Sequence, residues 1–319
     1  MHEKLINVTL ITKFVLMGFP DDQVLQRLYA AFFSLVYLVA LMGNILIITL
    51  TTIDQHLQTP MYFLLKNLSL IDICYISVTV PKSVMNSLTN SHSISFVGCA
   101  SQVFLVVFFA GTEFALLLVM SYDRYVAICC PLHYEAIMNR DSCVMTATSW
   151  FLGSVFGVLY SASTFSLSFC GSRKVPQFFC DVPSLLKISC SKSHVTIDIS
   201  EAIGVMYALF SLLSIGFSYI CIFNTVLRMP SLQGCSKAFS TCTPHLIVVT
   251  TFIVTGTIAY LKPVPDSPHL VDFLVSVFYS VLPASLNPII YSLRNKEIKA
   301  AVRRFLWKLS HYTFYGEKQ

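Results

Sequence analysis

Seven long apolar runs divide this chain, and no other feature of the sequence limits its fold so strongly. They cover residues 28–50, 61–80, 98–122, 143–162, 199–227, 241–261 and 270–293. Each run is long enough to cross a bilayer, because a helix needs about 20 mostly apolar residues to span the hydrocarbon core. The sequence therefore predicts an all-α membrane protein with a bundle of seven transmembrane helices.

Composition and length leave little room for anything else. Only 12% of the residues are charged and 55% are hydrophobic, whereas a soluble domain carries about 25% charged residues. The seven runs and their short connectors use nearly all of the 319 residues. We predict a single domain over 1–319, with an extracellular amino terminus at 1–27, the helix bundle at 28–293 and a cytoplasmic tail at 294–319.

Basic residues indicate which way the bundle crosses the membrane, because Lys and Arg flanking the spans favour the cytoplasmic side. They crowd after span seven and recur on the same side of the bundle, at Arg294, Lys296, Lys299, Arg303, Arg304 and Lys308, and at Arg124, Arg140, Arg228 and Lys237. Seven spans then place the amino terminus outside a plasma membrane. The sequon that starts at Asn7 lies in that segment, where it is usable as a glycosylation site.

The cysteines also fall into two groups, according to the predicted side of the membrane. Cys99 opens span three on the predicted outer side, and Cys170, Cys180 and Cys190 lie in the long loop between spans four and five. In an oxidising setting four thiols make two bridges, and the sequence leaves three pairings open. The remaining cysteines are predicted to be reduced packing residues: Cys74, Cys129, Cys130, Cys143, Cys221, Cys235 and Cys242.

Two carboxylates lie within the spans, where ionisable groups mark functional sites by default. Asp72 in span two and Glu113 in span three lie at similar depth. Because like charges repel, either one carboxyl holds a proton or a cation lies between them. In span seven, Pro288 lacks an amide hydrogen, and we expect Asn287 to satisfy the carbonyl that it leaves unpaired.

Motifs at the ends of the spans resemble the rhodopsin-like G-protein-coupled receptors. The motifs are Asp123-Arg124-Tyr125 closing span three, Asn287-Pro288-x-x-Tyr291 closing span seven, Asn44, Asp72, Trp150, and Cys99 with a loop cysteine. Longer strings are similar to odorant-receptor signatures: Pro60-Met61-Tyr62-Phe63-Leu64, Ser121 to Cys129 continuing through Pro131-Leu132-His133-Tyr134, Lys237 to Cys242, and Pro288 to Asn295. The resemblance covers essentially the whole chain.

The resemblance implies roles for named residues. Arg124 would be held by Asp123 at rest and released toward a G protein when span six swings outward, while His245 would tie span six to span three at rest. The full set implied for activation and coupling is Asp123, Arg124, Tyr125, Tyr219, His245, Asn287, Pro288 and Tyr291. Cys99 would pair with Cys180 and Cys170 with Cys190. Asp72 and Glu113 would hold a sodium ion, and no other cofactor is implied.

Two more features follow from the resemblance. Residues 295–309, with apolar positions at helical spacing and basic residues between them, would form a short amphipathic eighth helix on the inner membrane surface. A pocket would lie in the outer half of the bundle, lined by Val106, Val107, Ala110, Gly111 and Phe114, and facing them Gly204, Tyr207, Ala208, Gly256, Thr257, Tyr260, Val277 and Ser280. These residues carry hydroxyl groups but no charge, which predicts a neutral, volatile-sized ligand held by burial and one or two hydrogen bonds.

The implied function is an odorant receptor that activates a stimulatory, olfactory-type G protein and raises cyclic AMP. Its expected partners are the odorant, the G protein and membrane lipid, with no nucleic acid. The alternatives are a receptor of this class for another small ligand, and a seven-span transporter, although neither a continuous polar pathway nor repeated broken helices are visible. No catalytic motif occurs, so an enzyme is not expected. Span six departs from the odorant-receptor pattern at Pro244, Ile253 and Val254.

Overall fold

A computed structural model gives the architecture of residues 12–17, 22–89, 91–169, 173–191, 194–228, 231–261 and 270–316. Its helices are α1 (Gln23–Ile53), α2 (Pro60–Thr89), α3 (Phe96–Cys129), α4 (Tyr134–Phe165), α5 (Val182–Ile188), α6 (Val195–Leu227), α7 (Leu232–Leu261), α8 (Leu270–Arg294) and α9 (Lys296–Gly316). Within the described residues seven helices are long and apolar enough to cross a membrane. The predicted seven-helix bundle is confirmed, with α5 in a loop and α9 after the last span.

Two of the spans, α1 and α3, begin where a side chain satisfies free amide groups of the first helical turn. Asp22 caps α1 by accepting hydrogen bonds from the amides of Val24 at 2.7 Å and Leu25 at 3.0 Å. Ser95 caps α3 through the amide of Gly98 at 3.0 Å. Both helices therefore begin before their apolar runs, α1 at Gln23 and α3 at Phe96, whereas the predicted spans begin at residues 28 and 98.

Helix α3 lies at the centre of the bundle and contacts α2, α4, α6 and α7. Its approach to α4 is closest at Gly153 and Gly157, which stand four residues apart as in small-residue membrane contacts. A Cβ at Gly153 would lie 2.6 Å from the carbonyl oxygen of Phe108, and one at Gly157 would lie 3.1 Å from that of Phe104. Only glycine allows the two backbones to approach this closely.

A three-stranded sheet closes the end of the bundle that carries Cys99, here named the disulfide end. It consists of β1 (Lys13–Leu16), β2 (Ser93–Ser95) and β3 (Lys174–Val175). The central strand β1 is antiparallel to β2 and parallel to β3. Phe14 is fully buried, with its ring centroid 6.0 Å from that of Phe96. This sheet was not predicted from the sequence.

The opposite end of the bundle, named the Arg124 end, carries α9. Ile298 and Ala301 are buried against the bundle, whereas Leu306 and Trp307 are exposed. The predicted amphipathic eighth helix is therefore present. Arg304 ties it to the turn after α1, because its Nη2 lies 2.7 Å from Oδ2 of Asp54.

Candidate functional site

Arg124 is buried at the end of α3 in an ion pair with its neighbour Asp123. The Nε of Arg124 donates to Oδ2 of Asp123 at 2.9 Å, and its Nη2 donates to the same oxygen. The other oxygen, Oδ1, accepts a hydrogen bond at 2.8 Å from the hydroxyl of Tyr134 at the start of α4. Asp123 is thereby fixed from both sides, and the guanidinium of Arg124 is held along its own helix.

His245 of α7 lies further into the bundle than Arg124 and links three helices. Its Nε2 lies 3.0 Å from the carbonyl oxygen of Leu117 on α3, and its Nδ1 lies 2.7 Å from the hydroxyl of Tyr219 on α6. A neutral imidazole satisfies both contacts, with Nε2 donating to the carbonyl and Nδ1 accepting from the hydroxyl. We name this set (Leu117, Tyr219 and His245) the three-helix latch. A single buried side chain thus fixes α7 relative to α3 and α6.

Asp72 and Glu113 converge on one amide group in the middle of the bundle. The Nδ2 of Asn287 lies 3.2 Å and 3.1 Å from the two carboxylate oxygens of Asp72 and 3.3 Å from Oε1 of Glu113. All three residues are buried. An amide supplies two hydrogens, so it leaves most of the oxygen lone pairs open. Carboxylate and amide oxygens are ligands for hard cations, so these residues suit either a small cation or a shared proton.

The unpaired carbonyl at the kink in α8 has a different hydrogen-bond donor from the one predicted. Because Pro288 lacks an amide hydrogen, the carbonyl of Ala284 loses its helical partner. Asn44 of α1 donates to that carbonyl at 3.1 Å, whereas Asn287 binds the carboxylates. The expectation that Asn287 would do this is wrong, because the carbonyl points toward α1. Gly43 makes the approach feasible, since a Cβ there would lie 2.9 Å from Cβ of Pro288.

Two further residues of the predicted activation set lie near Arg124. Tyr291 is buried, and the charge of Arg124 is close enough to act on its hydroxyl group. That hydroxyl makes no hydrogen bond among the described residues. Tyr125 is half-buried, with its ring centroid 6.4 Å from that of Tyr122. The structure therefore brings Asp123, Arg124, Tyr219, His245 and Tyr291 toward one end of the bundle.

The predicted lining residues of the outer pocket fall into distinct groups. Phe114 of α3 joins α6 and α7, because its ring centroid lies 5.9 Å from Tyr207 and 5.5 Å from Phe252. A Cβ at Gly256 would meet no atom within 4 Å. The hydroxyls of Tyr207 and Ser211 adjoin each other on α6, and neither hydrogen-bonds to a third described group. Here α3, α6 and α7 surround an aromatic, uncharged region.

Other predicted lining residues face different neighbours. A Cβ at Gly111 would lie 3.5 Å from Cα of Gly153, and one at Gly204 would collide with the hydroxyl of Tyr160, so both glycines pack against α4. Val107 packs against the buried cluster that contains Cys99 and Tyr160, and Val277 packs against the cluster that contains Ile76 and Phe178. Ser280 is buried and donates to the carbonyl of Ser276 at 2.7 Å. Val106, Ala110 and Ala208 are half-buried, and Thr257 is exposed.

The disulfide predicted from the resemblance between Cys99 and Cys180 is present. It ties the start of α3 to the loop before α5. Three predicted positions lie outside the described residues or side chains: Cys170 of the second predicted bridge with Cys190, the sequon residue Asn7, and the side chain of Tyr260.

Some contacts of the site were not predicted. Tyr134 donates a hydrogen bond to Asp123. The only feature of the sequence that could have indicated this role is its position in the odorant-receptor string that follows Arg124. Gln102, one turn after Cys99, accepts from the amide of Cys180 at 2.8 Å and donates to the carbonyl of Val78 at 3.0 Å. A buried glutamine on an otherwise apolar helix was a usable signal, because buried polar side chains almost always have partners.

The fold and the site together define a seven-helix receptor of the rhodopsin type. A crystal structure of squid rhodopsin superposes with a TM-score of 0.70 at 18% sequence identity, covering 90% of this chain and 87% of the rhodopsin chain. That likeness concerns the fold alone.

Sequence comparison narrows the class to one family. A family model described as olfactory receptor matches residues 33–309. Human olfactory receptor 14K1 is 55% identical over 304 residues, covering 95% of this chain and 97% of that protein. Human olfactory receptor 14A2 is 54% identical, and mouse olfactory receptor 5AP2 is 43% identical over 94% of this chain and 95% of its own length. The chain belongs to the olfactory receptor family, and it is a multi-pass membrane receptor whose partners are an odorant and a G protein.

Proposed function

We propose that this receptor detects a neutral small odorant at the disulfide end and activates a stimulatory G protein at the Arg124 end, which raises cyclic AMP. The observation that carries the proposal is the latch that holds α7 to α3 and α6 at His245, between the aromatic region around Phe114 and the ion pair at Arg124. A ligand that moves α7 would act on the latch and on Arg124 together.

The Arg124 end faces the cytoplasm in this proposal. Basic side chains cluster there on α9, including Lys296, Lys299 and Arg303, as expected for a segment on the cytoplasmic side. The disulfide lies at the opposite end, in the compartment where disulfides persist. The disulfide end is therefore assigned to the outside, together with the amino terminus.

The ligand would be held mainly by burial against aromatic rings. Phe114, Tyr207 and Phe252 meet from three helices, and a neutral ligand gains about 0.8 kcal/mol for each methylene that it buries. The adjoining hydroxyls of Tyr207 and Ser211 supply hydrogen bonds for one polar group. None of the predicted lining residues carries a charge, so a carboxylate or an ammonium ion would be desolvated without a partner.

Coupling would use the exposed residues beside Arg124. Leu132 stands between α3 and α4 with 95% of its surface exposed. An exposed apolar side chain at this end of the bundle is available to pack against a partner, because the core of a protein interface is apolar. When α7 leaves the latch, Arg124 would exchange Asp123 for the G protein and the tyrosines Tyr219 and Tyr291.

The central test replaces Arg124 with Ala and measures odorant-evoked cyclic AMP in cells that express matched amounts of receptor at the surface. Loss of the response is expected, and Leu132→Asp should reduce it without changing ligand affinity. Arg140→Ala is the matched control, because Arg140 is exposed on the neighbouring α4. A full response from Arg124→Ala would contradict the proposed switch.

The ligand class is tested with a panel of alkanols, ketones, carboxylic acids and amines of similar size. The neutral members should be the most potent. Tyr207→Phe should weaken those with a hydroxyl or carbonyl group about fivefold, as the loss of one hydrogen bond of about 1 kcal/mol predicts. A strong response to a carboxylate would contradict the proposal of a neutral ligand if Phe114→Ala abolished that response.

A sodium ion between Asp72 and Glu113 belongs to the same proposal. The two carboxylates and the oxygen of Asn287 would hold it, and the ion would neutralise buried charge and favour the resting arrangement. Sodium chloride should then raise the melting temperature of the purified receptor more than choline chloride does, and Asp72→Asn should remove the difference. Equal stabilisation by both salts would favour a shared proton.

A further inference from the structure

Residues 177–180 of the loop between α4 and α6 fold into the outer end of the bundle. Phe178 is 0% exposed and Phe179 is 1% exposed, although both belong to a loop without regular structure. Loops normally run over the surface of a protein. Two fully buried aromatic rings therefore act as core residues that a loop supplies.

The two rings occupy the space between α1, α2 and α8. The ring centroid of Phe178 lies 5.4 Å from that of Phe33 on α1 and 4.9 Å from that of Phe179. The same cluster includes Ile76 and Val80 of α2 and Val281 and Ala284 of α8, with Ala40 of α1. Loop side chains thus fill one side of the outer end of the bundle.

Three helices hold this loop segment through its side chains and its backbone. Gln177 Nε2 donates to the hydroxyl of Ser276 on α8 at 2.7 Å, and the hydroxyl of Ser83 on α2 donates to the carbonyl of Phe178 at 3.4 Å. Cys180 is bonded to Cys99 on α3, and its amide donates to Gln102 at 2.8 Å. With anchors on both sides, the rings cannot leave the cluster without breaking several bonds.

We infer that Phe178 and Phe179 determine which ligand sizes fit, because they exclude the ligand from the α1–α2–α8 side and confine it to the region between α3, α6 and α7. The inference rests on the proposed function in placing the ligand in the outer half of the bundle. Val277, one of the predicted lining residues, packs against the cluster that contains both rings, so this cluster borders the proposed pocket on the α8 side.

The test is Phe178→Ala, measured with a homologous series of ligands of increasing chain length. The substitution opens space beside the pocket, and each additional buried methylene is worth about fourfold in affinity. We expect the preferred ligand to lengthen by about two carbons, with a change of about fifteenfold in the ratio of potencies between ligands that differ by two methylenes. An unchanged ranking, with or without a general loss of potency, would overturn the inference.

Two companion variants sharpen the result. Adding Val281→Phe to Phe178→Ala refills the space from α8 and should restore the original ranking, whereas Phe217→Ala removes an exposed ring on α6 and should change nothing. If Phe178→Ala does not reach the cell surface, Phe178→Leu replaces it; a lengthening of about one carbon supports the inference and an unchanged ranking overturns it.

The series is built in whichever class activates the wild type: alkanols, alkanoic acids or alkylamines. A receptor that responds only to acids or amines would refute the proposed neutral ligand and would still allow the size test. A receptor that keeps its size ranking in Phe178→Ala while responding to alkanols would refute only the present inference.

Discussion

The two ends of this receptor are held together by different forces. The disulfide end, which we propose to be the outer end, is held by a disulfide, a small sheet and buried rings such as Phe14 and Phe178. At the Arg124 end, the proposed cytoplasmic end, buried polar side chains such as Arg124 and His245 are joined by specific hydrogen bonds. Apolar burial has no preferred direction, whereas a buried hydrogen bond is either made or lost at a cost. In the proposed function, recognition that tolerates varied ligands and a switch with two discrete arrangements would therefore lie at opposite ends.

The largest effect should come from breaking the covalent bond at the outer end. Cys99→Ser removes the bridge to Cys180, and loss of a native disulfide typically costs 2–5 kcal/mol. We expect surface expression to fall to near background, as measured by antibody staining of intact cells. Cys143→Ser, at an exposed free cysteine, should leave staining unchanged. Wild-type staining of Cys99→Ser would show that the outer end does not depend on the bridge.

A smaller loss is expected when the kink of α8 loses its partner on α1. Asn44→Ala leaves the buried carbonyl of Ala284 without a donor, which costs about 1–3 kcal/mol. The melting temperature of the purified receptor should fall by several degrees. Thr52→Ala, at an exposed position of the same helix, serves as the control. An equal fall in both variants would point to a general effect of α1.

His245→Phe tests the latch and should act on signalling more than on stability. It removes the bonds to Leu117 and Tyr219, each worth about 1 kcal/mol, and so shifts the resting equilibrium toward the active arrangement. Basal cyclic AMP should rise several-fold without odorant. Thr250→Val on the exposed face of α7 should not change it. A basal level that stays at the wild-type value would mean that the latch carries no restraint.

The smallest effect concerns the tie between α9 and the turn after α1. Burial would raise the pKa of Asp54, but hydrogen bonds from Arg304 and His56 outweigh it and keep the pKa below its ordinary value of 3.8. Because the folded pKa is lowered, this contribution to stability is present at neutral pH and is lost as the pH falls through the lowered pKa. Asp54→Asn should speed hydrogen exchange in α9 modestly at pH 7, since such exposed pairs contribute about 0.2–1 kcal/mol. Asp141→Asn, at an exposed position of α4, should leave the exchange unchanged.

The sequence predicts the features of this fold that are local. Seven spans and the amphipathic α9 follow from runs of neighbouring residues, and the motifs around Arg124 and Pro288 lie within single helices. The resemblance adds the partner of Cys99. These features need no knowledge of how the helices pack.

Features that join distant parts of the chain escaped prediction. The sheet was missed because its strands have four, three and two residues, which is too short for an alternating pattern. Asn287 was matched to the nearest unpaired carbonyl, but the partner of that carbonyl is Asn44, on another helix. The resemblance put the face of α3 that carries Gly111 at the pocket, yet helical spacing cannot say that α4 is the neighbour of Gly111.

The position of β1 in the sheet affects how the receptor is made. This strand lies near the start of the chain, yet its partner β3 ends at Val175, and Cys180 is 81 residues beyond Cys99. At a synthesis rate of about 5–20 residues per second, roughly 8–30 seconds separate the emergence of β1 from that of β3. The disulfide end is therefore completed late, after four spans have been synthesised, and until then β1 lacks its parallel partner β3.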